Sequence, residues 1–313
     1  MSLNPVNLVD KANPVQQSAP GAGPRRLTRR AFLVRVCGGG VVAGLGAGAY
    51  AHYVEPFWPA VERLDLDLPD LAPALQGLRV VQISDLHLGS PGPFDYLRAQ
   101  VERCRALEPE LMVVTGDFIH AADLRWSQAL VSLLRPLQAP LGVFAILGNH
   151  DFGVWAPNPR PRGPAIAARI EQLLLEAGLI VLRNGAQVVM RGDAALQLVG
   201  IDDQWSGYCD PDQAFADADP DLPTVVLTHN PDTVPSLKDK RYDWALCGHT
   251  HGGQVQIPLI GAPILPIKHR HYDAGRFETD GHRLYVNRGL GSLYGVRFNC
   301  RPEITVFTLT GRA

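Results

Sequence analysis

Aspartate, histidine and asparagine recur in this chain in short, punctuated groups. They are Asp85-Leu86-His87, Gly116-Asp117, Gly148-Asn149-His150-Asp151, His229-Asn230 and Gly248-His249-Thr250-His251. Carboxylates, neutral imidazoles and one amide oxygen make a ligand shell for divalent transition metals. The set Asp85, His87, Asp117, Asn149, His150, His229, His249 and His251 is too large for one ion, so two ions are the economical reading. Taken singly, Asp-x-His, Gly-Asp and Gly-Asn-His-Asp are ordinary turn sequences. Gly-His-Thr-His-Gly-Gly is the most specific of them. Their joint occurrence decides, because five of the ten histidines fall in these few segments. The Asp-x-His and His-x-His spacings predict paired side chains projecting the same way from extended backbone. The five cysteines, Cys37, Cys104, Cys209, Cys247 and Cys300, include no CxxC pair. They read as packing thiols rather than a disulfide framework or a zinc–thiolate site.

Each group follows a short apolar run: Arg79–Ile83, Leu111–Thr115, Val143–Leu147, Thr224–Thr228 and Trp244–Cys247. Such runs predict strands buried on both faces. Sites in α/β sheets gather at the carboxyl ends of strands, so the five groups should converge on one cleft. Between the strands, Phe94, Leu97, Val101 and Cys104 share a helical face. Leu124–Leu134 and Ile166–Ala177 predict two more helices, the last closed by Gly178. Later strands, Gln187–Met190, Leu196–Ile201, Leu284–Val286 and Ile304–Leu309, come without long helices. A two-sheet core with helices outside fits both halves.

Hydrophobic residues at 46% and charged residues at 19% exclude a largely disordered chain and a multi-spanning membrane protein. The net charge of −2 conceals an asymmetry: residues 1–51 carry six basic side chains against Asp10 alone. The remaining body is therefore acidic, which argues against wrapping a nucleic-acid backbone. Residues 1–24 read as disordered. Arg29-Arg30, ahead of a Gly-rich apolar run and small residues, reads as a twin-arginine export signal. Residues 36–54 carry no Asp, Glu, Lys or Arg and are long enough for an anchor, so removal and retention both stay open. The expected organisation is 1–54 as a disordered N-terminus plus signal or anchor, and 55–313 as the catalytic domain. The body should lie in the periplasm or on the outer face of the cytoplasmic membrane.

Together these motifs resemble the calcineurin-like metallophosphoesterases, over about residues 75–310, and closest their small bacterial phosphodiesterase branch with an export or anchor segment. The resemblance implies a four-layer α/β/β/α sandwich and two divalent ions, Mn, Fe or Zn. It puts one ion on Asp85, His87, Asp117 and His251, and the other on Asp117, Asn149, His229 and His249. Asp117 would bridge, and His150 would face the substrate as the catalytic side chain. Two cations about 3.5–4 Å apart hold a bridging hydroxide and clamp phosphoryl oxygens. The expected function is hydrolysis of a phosphodiester or pyrophosphate bond, with a lipid-linked envelope substrate such as a UDP-diacylglucosamine in view. The rivals are a phosphomonoesterase and a non-catalytic protein-binding scaffold. One departure stands out: many members carry an acid three residues after the bridging Asp to orient the catalytic His, and here that position is His120. Asp151 is then the candidate for that task.

Three segments are weaker, substrate-side candidates. Ile201-Asp202-Asp203-Gln204-Trp205 borders the cleft or is a plain turn. Lys268-His269-Arg270-His271-Tyr272 is the basic cluster of an acidic body, suited to a phosphate, an anionic membrane surface or solvent alone. Pro258–Pro266 is unusually apolar for a loop, which suggests a lid, a membrane-facing edge or packing on the main domain.

Overall fold

Among the described residues, twelve strands form two six-stranded sheets. The computed structural model describes residues 28–69, 71–157, 160–279 and 281–311, so the segment read as disordered lies outside the described residues. Two units divide the chain, Met1–Gly46 and Ala47–Ala313. In the first, the described residues belong almost entirely to helix α1, Arg29–Tyr53, and residues 32–46 are exposed. Phe32–Phe57 is long and apolar enough to cross a membrane, with a mean hydropathy of 1.6. Its glycines do not interrupt the helix. In hydrocarbon that is the expected outcome, because backbone groups there have no partner except one another.

In the second unit, the first sheet holds β1 (Ala60–Leu68), β2 (Arg79–Ile83), β3 (Leu111–Thr115), β4 (Val143–Ile146), β5 (Ile180–Val181) and β12 (Glu303–Gly311). Its order is β1-β12-β2-β3-β4-β5, parallel except where β12 meets β2. The second sheet holds β6 (Gly185–Arg191), β7 (Ala194–Ile201), β8 (Thr224–Thr228), β9 (Trp244–Cys247), β10 (Gly275–Thr279) and β11 (His282–Val286). Its order is β10-β11-β9-β8-β7-β6, with antiparallel pairs at both edges. Strand pleat sorts each apolar run between two cores. Val80, Leu111 and Val113 point between the sheets, where they meet Leu198, Val225, Leu227 and Leu246. Val81, Met112 and Val114 point the other way, under helices α2 (Phe94–Ala106), α3 (Ser127–Leu134) and α4 (Pro164–Glu176). Val199, Val226 and Ala245 face a third core, under short helical turns such as Pro231–Leu237. The result is the four-layer sandwich expected, with its second outer layer built of short pieces.

The predicted strands and helices are present, with ends shifted by a few residues. β1, β5 and β10 were not anticipated. β1 is amphipathic, Glu-Arg-Leu-Asp-Leu-Asp, and pairs only with β12, so its run is not continuously apolar.

Candidate metal centre

Strands β2, β3 and β4 of one sheet and β8 and β9 of the other deliver the motif residues to a common cleft. Asp85 Oδ1 lies 3.3 Å from His251 Nε2 and 3.8 Å from His87 Nε2, and the two ring nitrogens are 2.9 Å apart. Asp117 Oδ2 lies 3.4 Å from His87 Nε2 and 3.2 Å from His229 Nε2. His249 Nδ1 is 3.2 Å from that same His229 nitrogen. Asp85, His87 and His251 therefore make one cluster, Asp117, His229 and His249 a second, and a single Asp117 oxygen stands between them.

The donors fit a pair of divalent ions. Ligand atoms about 2.1 Å from one ion stand about 3 Å from one another, as these do. Asn149 Oδ1 is buried with no partner, while its Nδ2–H donates to Val154 O at 2.7 Å and turns the oxygen inward. The outer ring nitrogens of His229 and His249 meet backbone carbonyls, whereas His87 Nδ1 is buried with no partner. His229 Nδ1–H donates to Thr115 O at 2.7 Å, and His249 Nε2–H to Pro266 O at 3.1 Å. In those two rings the bonds leave the inner nitrogen as the one to face a metal, which at His229 would displace a proton. Burial holds His87 and His251 well below the usual imidazole range and His249 at about 3, so their lone pairs are available. Burial likewise pushes Asp85 up to about 7. Asp117 and His229 resist burial by mutual attraction: the carboxyl falls well below its usual range and the ring rises to about 10.

The backbone here differs from the extended stretch that the alternate spacing suggested. Asp85, His87, Asp117, His249 and His251 all have positive φ, between 44° and 71°. Each such residue costs about 1–3 kcal/mol, and such strain clusters at functional sites. Left-handed steps at both ends of each pair, rather than strand alternation, bring the two side chains to one side. Close packing also explains the preceding glycines. A Cβ on Gly248 would stand 2.0 Å from Ser84 Oγ and 2.5 Å from Asp85 Oδ2, and one on Gly148 would stand 2.3 Å from Asp117 Oδ1.

His150 lies outside both clusters, its ring centroid 4.5 Å from that of His87. Asp151 does not orient it. The Asp151 carboxylate accepts the backbone N–H groups of Asp117, Phe118, Ile119 and Gly148, which ties the β3 and β4 loops together. Ala121 N–H donates to His150 Nδ1 at 3.2 Å instead, from a residue at φ 56°. Trp155 presses edge-on against His150 at 4.3 Å, and His120 stacks on it at 5.3 Å. Beside His249, Trp205 packs edge-on at 4.5 Å. A cavity of about 580 Å³ opens there, lined by Trp205, Asp232, Leu265, Pro266, Ile267 and Lys268 among others. The Ile201–Trp205 segment thus borders the cleft, and Asp202 within it instead pairs with Arg183 at 2.6 Å. Lone loop residues carry no motif, so the sequence did not reveal Trp155 or Arg297. Arg297 is fully buried behind His251, 3.3 Å from Nδ1, and donates to the carbonyls of Arg288, Gly289, Gly291 and Cys300.

Two sheets that converge carboxylates, imidazoles and an amide oxygen around two adjacent cation positions define a dinuclear metal hydrolase. The calcineurin-like phosphoesterase family model matches residues 78–253, and the chain belongs to that family. It is a metal-dependent phosphoesterase that uses two divalent ions. It is 35% identical to the phosphodiesterase YaeI of Escherichia coli, over 90% of this chain and 99% of that one. It is 34% identical to the uncharacterized metallophosphoesterase YkuE of Bacillus subtilis, over 91% and 98%. It is 32% identical to the UDP-2,3-diacylglucosamine pyrophosphatase LpxG of Chlamydia trachomatis, over 82% and 90%.

Proposed function

We propose that this protein hydrolyses a phosphodiester or pyrophosphate bond in a lipid-linked substrate of the cell envelope, of which UDP-2,3-diacylglucosamine is the leading example. One ion is assigned to Asp85, His87, Asp117 and His251, and the other to Asp117, Asn149, His229 and His249. When bound, the ions supply charge neutralisation and activate water for in-line attack. His150, held through Nδ1 by Ala121, turns its Nε2–H toward the reacting phosphoryl group and donates to an oxygen on which charge develops. His120 and Trp155 hold that ring in place.

The observation that carries the reading is the cavity beside His249. Its lining of Trp205, Leu265, Pro266 and Ile267, with Gln204, Asp232 and Lys268 as the polar members, suits a bulky, partly apolar group on the far side of the scissile bond. Arg297, the guanidinium packed against the proposed ligand His251, is engaged by that ring and by carbonyls and does not offer a monoester dianion a second anchor. Two relatives named for a phosphodiesterase and a pyrophosphatase support the same choice. The N-terminal helix serves as a twin-arginine signal or a retained anchor, with Arg29 and Arg30 at its start, so that the body works in the periplasm or on the outer face of the cytoplasmic membrane.

The test is a metal-loaded assay on p-nitrophenyl phosphate, bis(p-nitrophenyl) phosphate and UDP-2,3-diacylglucosamine. The expected result is a kcat/KM at least tenfold higher for the diester than the monoester, and higher still for the acylated nucleotide. A monoester preference would favour the phosphatase reading.

A further inference from the structure

The stretch from Ile257 to Ile264 is unlike the rest of the surface. It closes a tight turn, with Gly261 N–H donating to Ile257 O at 2.8 Å and Ile257 N–H to Gly261 O at 3.0 Å. Leu259 at its tip is fully exposed and has φ 68°, a backbone that bulky residues avoid. Ile260 and Ile264 are 74% and 76% exposed. Single exposed apolar residues are common, but three on one turn form a patch that wants a partner.

Its position indicates the partner. Pro258 shares a cavity of about 500 Å³ with Tyr50 and Glu55. Glu55 in turn accepts the N–H groups of Asn299 and Cys300 and so fixes the base of helix α1 to the body. Exposed Tyr53, Val54 and Trp58 follow directly along the chain. With α1 retained as an anchor, the bilayer it crosses begins within a few residues of Tyr53, close to the cavity that Tyr50 and Pro258 share. The surroundings suit a headgroup layer. Arg301 stacks over Trp58 at 4.0 Å, and Arg270 donates to Ala262 O at 2.8 Å within the loop. Tryptophan and basic side chains favour that depth.

We propose that the Ile257–Ile264 turn is a second membrane contact, with Leu259, Ile260 and Ile264 dipping into the bilayer while Trp58, Arg301 and Arg270 sit among the headgroups. The loop continues into Leu265, Pro266 and Ile267, which line the cavity at His249, and Pro266 O accepts the bond from His249 itself. A seated turn would open that cavity at headgroup depth. The contact rests on the reading of α1 as a retained anchor and not on which bond the enzyme cleaves.

Spin labelling tests it on the full chain, in vesicles of phosphatidylcholine and phosphatidylglycerol, with Cys37 and Cys209 replaced by serine. Nitroxides go on Leu259→Cys, Ile264→Cys and, as an exposed control on α4, Leu175→Cys. The expected pattern is high oxygen and low nickel-chelate accessibility at both loop positions, a ratio at least fivefold above that at residue 175. Nickel access at either loop position equal to the control would overturn the proposal. So would exclusion of both reagents from the loop, because a protein would then be covering it. Circular dichroism matching the parent shows that each labelled chain is folded. These readouts need no turnover, so their failure is separate from failure of the assigned chemistry.

Discussion

The Ala121 N–H that meets His150 Nδ1 leaves the remaining ring proton on Nε2. Burial lowers the pKa of the ring, so it sheds its second proton below pH 6.5 and stays neutral above it. A neutral imidazole is a hydrogen-bond donor rather than a strong acid. Activity should therefore not decline between pH 6.5 and 8.5 on account of this ring; a His150-dependent alkaline limb near pH 7 in the kcat profile would show it acting as an imidazolium. His150→Ala should keep both metal equivalents by elemental analysis while kcat falls about 10²–10³-fold, the typical cost of one donor to a developing oxyanion. Asp117→Ala and Asn149→Ala should behave oppositely and lower the metal content itself, Asp117→Ala by more because its oxygen stands between both clusters.

At the level of elements, the five strands that lead into the site were readable because each is a short apolar run ending in glycine or a polar ligand. The convergence of five strand ends followed from the α/β rule and required no coordinates. The strand-end backbone was not readable: left-handed conformations at Asp85, His87, Asp117, His249 and His251 are imposed by tertiary packing, not by local propensity. Nor was Asp151 as the tie between two loops, since adjacency to His150 suggested a different partner. The glycines looked like turn punctuation, yet Gly248 and Gly148 are fixed by what stands against them. Gly248→Ala should displace Asp85 and cost at least half of the metal bound at the Asp85 cluster, measured by calorimetric titration. Retention of full occupancy would mean that the loop has more room than its packing indicates.

Across the molecule, the body begins before the apolar segment ends. Arg297 N–H donates to the buried Ala51 carbonyl at 2.9 Å. A chain starting at residue 55 loses that bond, whereas one starting at residue 47 keeps it. The shorter form should be less stable by about 1 kcal/mol, a fall of about 2–4 °C in Tm that differential scanning calorimetry would register. The strand order carries a consequence for biogenesis. β12 lies between β1 and β2, and β1 has no other neighbour. While a ribosome still holds residues 303–311, β1 lacks its backbone partner and is cut off from the β2-β3-β4-β5 part of the first sheet. The first sheet is therefore complete only once synthesis has passed that point.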